Sequence, residues 1–377
     1  MKKVIWLCSW YPSKVDAFIG DFVQRQAFAA SNFVQVEVFH IAFGNLDEVT
    51  KTIVNENLQE HIVYMKHVNK IVDYLNYQQA HQEFYNNYLI RNGKPDLVHV
   101  QVIMKAGTVA LQWLKEHKLP FVVTEHYGIY NLKVQDSFVK RSFWFRYFTK
   151  QILKLSSHLI CVSSSLAEDI QQFTAIQKIH IISNTVDVSL FYWKEKYKND
   201  KFTFIHVSNL SEVKNPMGIL QAIEKLFSIR QDFCVRFIGS SNTEFSALAS
   251  QKKLLNNCIF IEPIMSYAEV AQANQLADAG LLFSHSESQS CVVLEWLCCG
   301  LPVISSAVGG VVELINTSNG VLVEDNNTEA LIHAMEEMIH NHSQYNGNEI
   351  SKKACDTYSY ATIGEKINKV YDEVLIK

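Results

Sequence analysis

Two glutamates, Glu287 and Glu295, flank the start of a predicted helix and are well suited to bind a polar ligand. The helix is predicted to begin at Ser290 and to stop at Gly300, and its N-terminus presents free amides and the positive end of the helix dipole. These features favour a phosphate group. Carboxylates bind sugar diols because both oxygens accept hydrogen bonds, so the pair predicts a diphosphate site with a hydroxyl-bearing ring on either side. The alternative is two exposed acids at a helix start, where acids are common.

Lys214 precedes a second predicted helix start, with Asn215 as the N-cap and Pro216 at the first helical position. A lysine there adds a positive charge to a site already suited to an anion. Taken alone, Lys214 would be an ordinary solvated surface lysine. Together with the two glutamates it predicts a nucleotide-diphosphate site in the second half of the chain.

The elements that must position these residues are short apolar strands separated by segments with helical periodicity, the pattern of βα units. Six strands are predicted between Val4 and Ser183 and six more between Phe202 and Glu324. The pattern predicts the following division: a first Rossmann-like domain over residues 1–185, a linker over 186–200, a second domain over 201–360, and a helix over 361–377 that rejoins the first domain. Ligands of open α/β sheets bind at the carboxyl ends of the strands, where the lysine and the first glutamate are expected.

The composition excludes several classes of protein. The chain has 377 residues, and 34 Lys and Arg against 38 Asp and Glu give a net charge of −4, which predicts no nucleic-acid partner. The 8 cysteines lack the CxxC spacing of zinc or redox sites, so they are expected to be reduced and buried. The apolar run at the start is too short for a signal peptide, and no run is long enough to span a membrane. The protein is therefore expected to be cytoplasmic.

Most of the chain resembles glycosyltransferase family 4. The E-x7-E arrangement of Glu287 and Glu295 and its surroundings resemble the donor-binding segment of that family. The segments that carry the resemblance are SHSESQSCVVLEWLCCGLPVISSAVGGVVELI, NGVLVED, SNLSEVKNP, NTVDVSLF, TEH, PDLVHVQ and SWYPSKVDAFIGDFVQRQA. The resemblance implies the α/β GT-B fold, in which two Rossmann-like βαβ domains face each other across a cleft.

The resemblance also implies roles for individual residues. Glu287 would hold the hydroxyls of the donor sugar, Glu295 the ribose diol, and Lys214 the diphosphate. His126 would reach the donor sugar, and it is expected to be catalytic together with Glu287 and Lys214. The remaining donor-binding residues would be Gly20, which lets the first loop approach the phosphates, Gln289, Ser290 and Cys291, which cradle the distal phosphate, and Asn209 and Gly239.

The implied activity is retaining transfer of a sugar from a nucleotide-diphosphate-sugar donor to a glycan or lipid-linked acceptor during polysaccharide or glycoconjugate assembly. No cofactor is expected, and no metal, because the chain contains no Asp-x-Asp. The chain departs from the family pattern in having Asn209 where an arginine often stands, Gln289 and Ser290 where an aromatic residue and a glycine are usual, and a single glycine in the first loop. Two alternatives stay open, a non-catalytic sugar-nucleotide binder and a sugar-nucleotide epimerase.

Residues 139–150 combine five aromatic side chains with four cations. A basic aromatic helix can lie on an anionic membrane surface, and a peripheral contact at the inner face of the membrane would suit an enzyme with a lipid-linked acceptor. The alternative is an ordinary helix with buried aromatics and solvated cations.

Overall fold

The computed structural model describes residues 1–46, 48–176, 178–195, 200–239 and 242–376, which form two compact units. One unit comprises Met1–Thr185 and Tyr360–Lys377, and the other comprises Val186–Ser359. The second unit therefore begins at Val186, and residues 196–199 of the segment predicted as a linker lie outside the described residues. No helix in the described ranges is both long enough and apolar enough to cross a membrane.

The first unit is built on an eight-stranded sheet with the order β3-β4-β2-β1-β5-β6-β7-β8. Its strands are β1 Lys3–Cys8, β2 Gln35–Phe43, β3 Glu48–Asn55, β4 Leu58–Met65, β5 Leu97–Gln101, β6 Phe121–Glu125, β7 His158–Cys161 and β8 Ile179–Ile181. Its first five helices are α1 Asp21–Ser31, α2 Lys70–Asn92, α3 Ala106–His117, α4 Phe143–Leu155 and α5 Ser164–Gln171. β3 pairs antiparallel with β4, and the other neighbours are parallel.

The hairpin of β3 and β4 corrects the prediction of six strands for this half of the chain. β3 is an edge strand whose side chains are mostly exposed, and it carries polar residues at most positions. A strand that buries so little apolar surface leaves no run of apolar residues by which the sequence could reveal it.

The second unit has a six-stranded parallel sheet with the order β11-β10-β9-β12-β13-β14. Its strands are β9 Phe202–Val207, β10 Phe233–Ile238, β11 Ile259–Glu262, β12 Ala279–Leu282, β13 Val303–Ser306 and β14 Gly320–Val323. Its helices are α6 Pro216–Ile229, α7 Thr243–Gln251, α8 Tyr267–Leu276, α9 Cys291–Cys298, α10 Thr328–Asn341 and α11 Gly347–Tyr358. In chain order the strands run 3-2-1-4-5-6, the Rossmann arrangement, whose order reverses between β9 and β12.

The last helix, α12 Tyr360–Leu375, belongs to the first unit. Its apolar face is buried with strand β1 in one core cluster that includes Trp6, Ile367 and Tyr371. The Trp6 Nε1–H donates a hydrogen bond to the Tyr371 hydroxyl at 3.1 Å. Gly364 lies so close to α1 that a β-carbon there would stand 2.1 Å from the Ala29 carbonyl oxygen. These contacts make α12 part of the core of the first unit.

Candidate functional site

The carboxyl ends of β9 and β12 form the switch point of the second unit, where the strand order reverses and ligands of such sheets bind. His206 on β9 joins the two strands, because its Nδ1 bonds the Leu281 carbonyl at 2.8 Å and its Nε2 bonds the Ser208 hydroxyl at 2.6 Å. Burial lowers the pKa of His206 to about 4, so the ring is neutral at pH 7. The Ser208 hydroxyl also accepts the Leu210 amide at 3.0 Å and thereby orders the loop that follows.

This loop ends in Lys214, which lies in a 3-10 turn over Glu212–Lys214 just before α6. Asn215 is the N-cap of α6 and accepts the Gly218 amide at 3.0 Å, and Pro216 is its first residue, as the sequence predicts. The His285 amide donates to the Val213 carbonyl at 2.8 Å, which ties the loop after β9 to the loop after β12. The two predicted loops therefore meet at the switch point.

Lys214 and Glu287 form an ion pair there, with Nζ and Oε1 2.6 Å apart. The lysine side chain is 23% exposed and the glutamate side chain 9% exposed, so the pair is largely withdrawn from water. The structure thus brings together the two residues predicted to contact a diphosphate and a sugar. Each neutralises the other, and an anionic ligand would compete with Glu287 for the lysine.

The backbone of Glu287 rests against a pair of glycines that follows β13. The Gly310 amide donates to the Glu287 carbonyl at 3.2 Å. Gly309 has φ +48°, and a β-carbon there would stand 1.8 Å from the same carbonyl oxygen. Sequence reasoning gave these glycines no role, although the GG pair was visible in the segment that carries the family resemblance.

Helix α9 follows Glu287 and contains Glu295, which is buried at 3% exposure. Ser290 is its N-cap by position, but its side chain makes no capping hydrogen bond, which corrects the prediction that it caps the helix. The negative charge of Glu295 contributes to raising the pKa of the Cys299 thiol, second to burial of that thiol. Gln289 and Cys291 are half-buried beside the helix start.

Asn209 and Gly239 lie in the loops after β9 and β10. The Asn209 carboxamide oxygen accepts the Ser211 amide at 3.2 Å. Gly239 has φ +102°, and a β-carbon there would stand 3.2 Å from the Ser208 carbonyl oxygen, so it allows the two loops to lie close together. Residues 240 and 241, which follow Gly239 in the sequence, lie outside the described residues.

Gly20 belongs to the first unit, where it is the N-cap of α1 with φ +74°. A β-carbon at Gly20 would stand 2.6 Å from the carbonyl carbon of Trp10. The close packing of α1 against the loop after β1 therefore explains the glycine within its own unit. The expected approach to phosphates stays a prediction.

His126 also belongs to the first unit and follows β6. The preceding Glu125 is buried, and its carboxylate accepts the amides of His126 and Tyr127, both at 2.8 Å. Burial lowers the pKa of His126 to about 3, which a hydrogen bond with Asn184 only partly opposes. His126 is therefore a neutral imidazole at pH 7, which can form hydrogen bonds but supplies no charge.

A buried polar chain connects His126 to the last helix. His126 Nε2 donates to Gln101 Oε1 at 3.2 Å, and Gln101 Nε2 lies 3.3 Å from His99 Nε2. His99 Nδ1 is hydrogen-bonded to the Tyr371 hydroxyl at 2.6 Å. Sequence reasoning missed Gln101 and His99 as positioning residues, although both lie in the segment PDLVHVQ.

A Rossmann sheet with a lysine and a glutamate paired at its switch point is an arrangement typical of nucleotide-binding α/β proteins. Comparison with known proteins places the chain within that class. Residues 190–360 match the family model "Glycosyl transferases group 1", and residues 29–190 match "Glycosyltransferase Family 4". The chain belongs to glycosyltransferase family 4 and is a glycosyltransferase that transfers a sugar from a nucleotide-sugar. This favours the transferase interpretation over the binder and epimerase alternatives.

Relatives and solved structures agree with this assignment. The uncharacterized glycosyltransferase MJ1178 of Methanocaldococcus jannaschii is 27% identical over 74% of this chain and 76% of its own length. The Bacillus subtilis teichuronic acid biosynthesis glycosyltransferase TuaC is 23% identical over 88% of each chain.

Among solved structures, sucrose-phosphate synthase from Thermosynechococcus elongatus superimposes with a TM-score of 0.81 at 16% identity, covering 99% of both chains. Anabaena HepE in complex with UDP-glucose superimposes with a TM-score of 0.72 at 15% identity, covering 98% of this chain and 100% of that one. These likenesses establish the GT-B fold.

Proposed function

We propose that the chain is a retaining glycosyltransferase whose donor, a nucleoside diphosphate sugar, binds at the switch point of the second unit. The ion pair of Lys214 and Glu287 carries this proposal. Breaking the bond between sugar and phosphate leaves negative charge on the diphosphate, and preorganised positive charge is what stabilises that transition state. Lys214 supplies a full charge, and the N-terminus of α9 near Gln289, Ser290 and Cys291 supplies amides and the helix dipole.

In this proposal, the two glutamates bind the remaining parts of the donor, which are the sugar and the ribose. Glu287 is released from Lys214 when the diphosphate binds, and its carboxylate then accepts hydrogen bonds from sugar hydroxyls. Glu295 accepts the ribose diol. Asn209 and Gly239 border the same sheet edge. Asn209 brings no charge where the family pattern implies an arginine, so Lys214 would carry more of the diphosphate stabilisation.

We propose a front-face route for the transfer. The acceptor hydroxyl attacks the anomeric carbon on the face from which the diphosphate leaves, and the departing phosphate oxygen takes the hydroxyl proton. This route needs no protein nucleophile, and it retains the anomeric configuration. His126 donates or accepts a hydrogen bond as a neutral ring, and Gly20 keeps the first loop compact. Independence from a metal ion stays a prediction.

The donor is identified by thermal unfolding in the presence of UDP, GDP, ADP, CMP and their common sugar conjugates. HepE is described in complex with UDP-glucose, so uridine nucleotides are tested first. We expect one nucleotide to raise the melting temperature of the wild type, because it binds only the folded state, and to have little effect on Glu295→Ala. Glu295→Gln keeps the side-chain volume in case the alanine variant unfolds. Glu337→Ala, on an exposed position of α10, is the control.

A stabilising nucleotide that acts equally on wild type and on both Glu295 variants would overturn the ribose assignment. Stabilisation by none of the nucleotides would overturn the donor site itself. Once a donor is found, the anomeric configuration of the product, read by NMR, must equal that of the donor, and an inverted product would refute the front-face route.

We further propose that the acceptor lies at an anionic membrane surface, in a glycoconjugate pathway, and that helix α4 contacts that surface. Phe143 and Trp144 are 63% and 65% exposed, and Tyr147 and Phe148 are exposed beside them. The alternative of buried aromatics therefore fails for these four side chains, while Phe145 packs against the core. The exposed cations of the same segment and its continuation are Lys140, Lys150 and Lys154.

Sedimentation with liposomes of anionic and of zwitterionic lipids tests this contact. We expect binding to anionic liposomes at low salt that salt weakens, and loss of binding in the double variant Phe143→Ser and Trp144→Ser. The control is Ile229→Ser with Ile264→Ser, which removes two exposed apolar side chains of the second unit. Equal sedimentation of the two double variants would refute a role for α4.

A further inference from the structure

Two histidines and a glutamate of the first unit converge at one edge of its sheet. His158 opens β7, His180 is the middle residue of the edge strand β8, and Glu373 lies near the end of α12. His158 Nδ1 and His180 Nε2 are 2.8 Å apart. Glu373 Oε2 lies 3.8 Å from the first nitrogen and 3.6 Å from the second. We propose that these three side chains bind one divalent transition-metal ion of the zinc class.

The distances fit a common ion. Donor atoms about 2.0–2.2 Å from a tetrahedral zinc ion lie about 3.3–3.6 Å from one another. The three distances bracket that value, so side-chain shifts of a few tenths of an ångström bring all three atoms onto one ion. Two imidazoles and one carboxylate form a ligand set that zinc, cobalt and nickel accept, with a further position left for water.

The burial of His158 favours coordination as well. Its side chain is 2% exposed, so an ion bound to it would be shielded from water on that side. The positive charge of Lys178 opposes a cation, and the carboxylate of Glu373 offsets it.

The end of α12 provides a second, independent reason. Its last turn contains Asp372 and Glu373 and no basic residue, so two negative charges lie at the negative end of the helix dipole. Asp372 is paired with Lys2 at 2.6 Å. Glu373 meets the two histidines, and a divalent cation between them would relieve the unfavourable charge at the helix end. The ion would fasten α12 to β7 and β8, a structural role that does not depend on the proposed donor site.

Titration of the tag-free, full-length chain with Co²⁺ after removal of metals by a chelator tests the site. We expect one ion per chain, with visible d–d absorption and without the charge-transfer band of a cobalt thiolate. Zn²⁺ should displace the cobalt and raise the melting temperature as its concentration increases.

Variants assign the ligands. Glu373→Gln and His180→Ala should each weaken cobalt binding roughly tenfold or more. The matched control is His333→Ala, which breaks the exposed His333–Glu337 pair on α10, at 3.5 Å, and should change nothing. Circular dichroism shows whether each variant folds, and Glu373→Gln changes only a half-exposed side chain.

Absence of bound cobalt, cobalt binding unchanged in both ligand variants, or a thiolate band that places the ion on cysteines would each overturn the proposal. Donor binding by the second unit is measured separately by nucleotide-induced stabilisation. Failure of one proposal is therefore distinguishable from failure of the other.

Discussion

The two units position their candidate site residues by different physical means. In the second unit, Lys214 and Glu287 hold each other as an ion pair on loops tied together by backbone hydrogen bonds. In the first unit, His126 is neutral and is held by a buried polar chain through Gln101 and His99 to Tyr371. In the second unit, a ligand can replace one partner of the ion pair. In the first unit, the hydrogen bonds are buried and their geometry is fixed. The units should therefore respond differently to pH and to substitution.

Of all the tests, a fall in pH should produce the largest difference in stability between the two units. Of the described histidines, four in the first unit have their pKa lowered to about 3 or 4 by burial, against one such residue in the second. They are His40, His81, His99 and His126 in the first unit and His206 in the second. The unfolded chain binds more protons than the folded chain between the unfolded pKa of about 6.5 and these values, so stability is lost as the pH falls through that window.

Each of these histidines contributes up to about 1.4 kcal/mol per pH unit. We expect hydrogen exchange at pH 5, compared with pH 7 after correction for intrinsic rates, to show a loss of protection in the first unit several times that in the second. Equal losses in the two units would contradict the comparison.

Lys214→Ala tests the charged pair of the second unit. The substitution removes the positive charge expected to stabilise the leaving diphosphate and should lower kcat by about 10²–10³-fold. Lys225→Ala, which removes the exposed ion pair with Glu329, is the control and should retain full activity. A wild-type kcat in Lys214→Ala would show that the leaving group is stabilised elsewhere.

Gly309→Ala tests the backbone support of Glu287. The new β-carbon would collide with the Glu287 carbonyl oxygen, so the backbone at residue 309 or at Glu287 must shift, and we expect the carboxylate of Glu287 to be displaced with it. We expect donor turnover to fall roughly tenfold to a hundredfold, the effect of a displacement of about 1 Å at a reacting site. Gly93→Ala is the matched control, because Gly93 also has positive φ but has open space around it. Equal activity in the two variants would mean that the contact is dispensable.

Tyr371→Phe tests the polar chain of the first unit and should have the smallest effect. Removing the hydroxyl leaves the buried Trp6 Nε1 and His99 Nδ1 without that partner, at a cost of about 1–3 kcal/mol in stability. Under the role proposed for His126, we expect kcat to fall a few-fold with KM little changed, because the substitution loosens the polar chain that positions the imidazole and leaves the imidazole itself intact. Tyr74→Phe, at an exposed position of α2, is the control. A stability equal to that of the wild type would show that the polar chain does not stabilise the packing of α12.

The sequence predicted much of the fold and the charged part of the site, because both depend on local signals. Helix starts, strand runs and the E-x7-E spacing are each contained in a short stretch, and Lys214 and Glu287 follow adjacent strands of a regular topology. The polar chain was not predictable, since His99 and Tyr371 are 272 residues apart and no local signal indicates that they are in contact. The sequence left open whether the aromatic side chains of α4 are exposed or buried, because periodicity identifies an apolar helix but not what covers each of its faces.

The return of α12 to the first unit gives the chain an order of assembly during synthesis. Ribosomes release domains from the N-terminus onward, at about 5–20 residues per second. Trp6 Nε1 and His99 Nδ1 of the first unit nevertheless lack their Tyr371 partner until α12 has been made, whereas the second unit is complete at Ser359. The unit that is translated first is therefore finished last, because its eight strands are made by Ile181 but its closing helix follows the whole second unit. Termination within the 18 codons from Tyr360 to Lys377 would spare the second unit and leave the first without its closing helix.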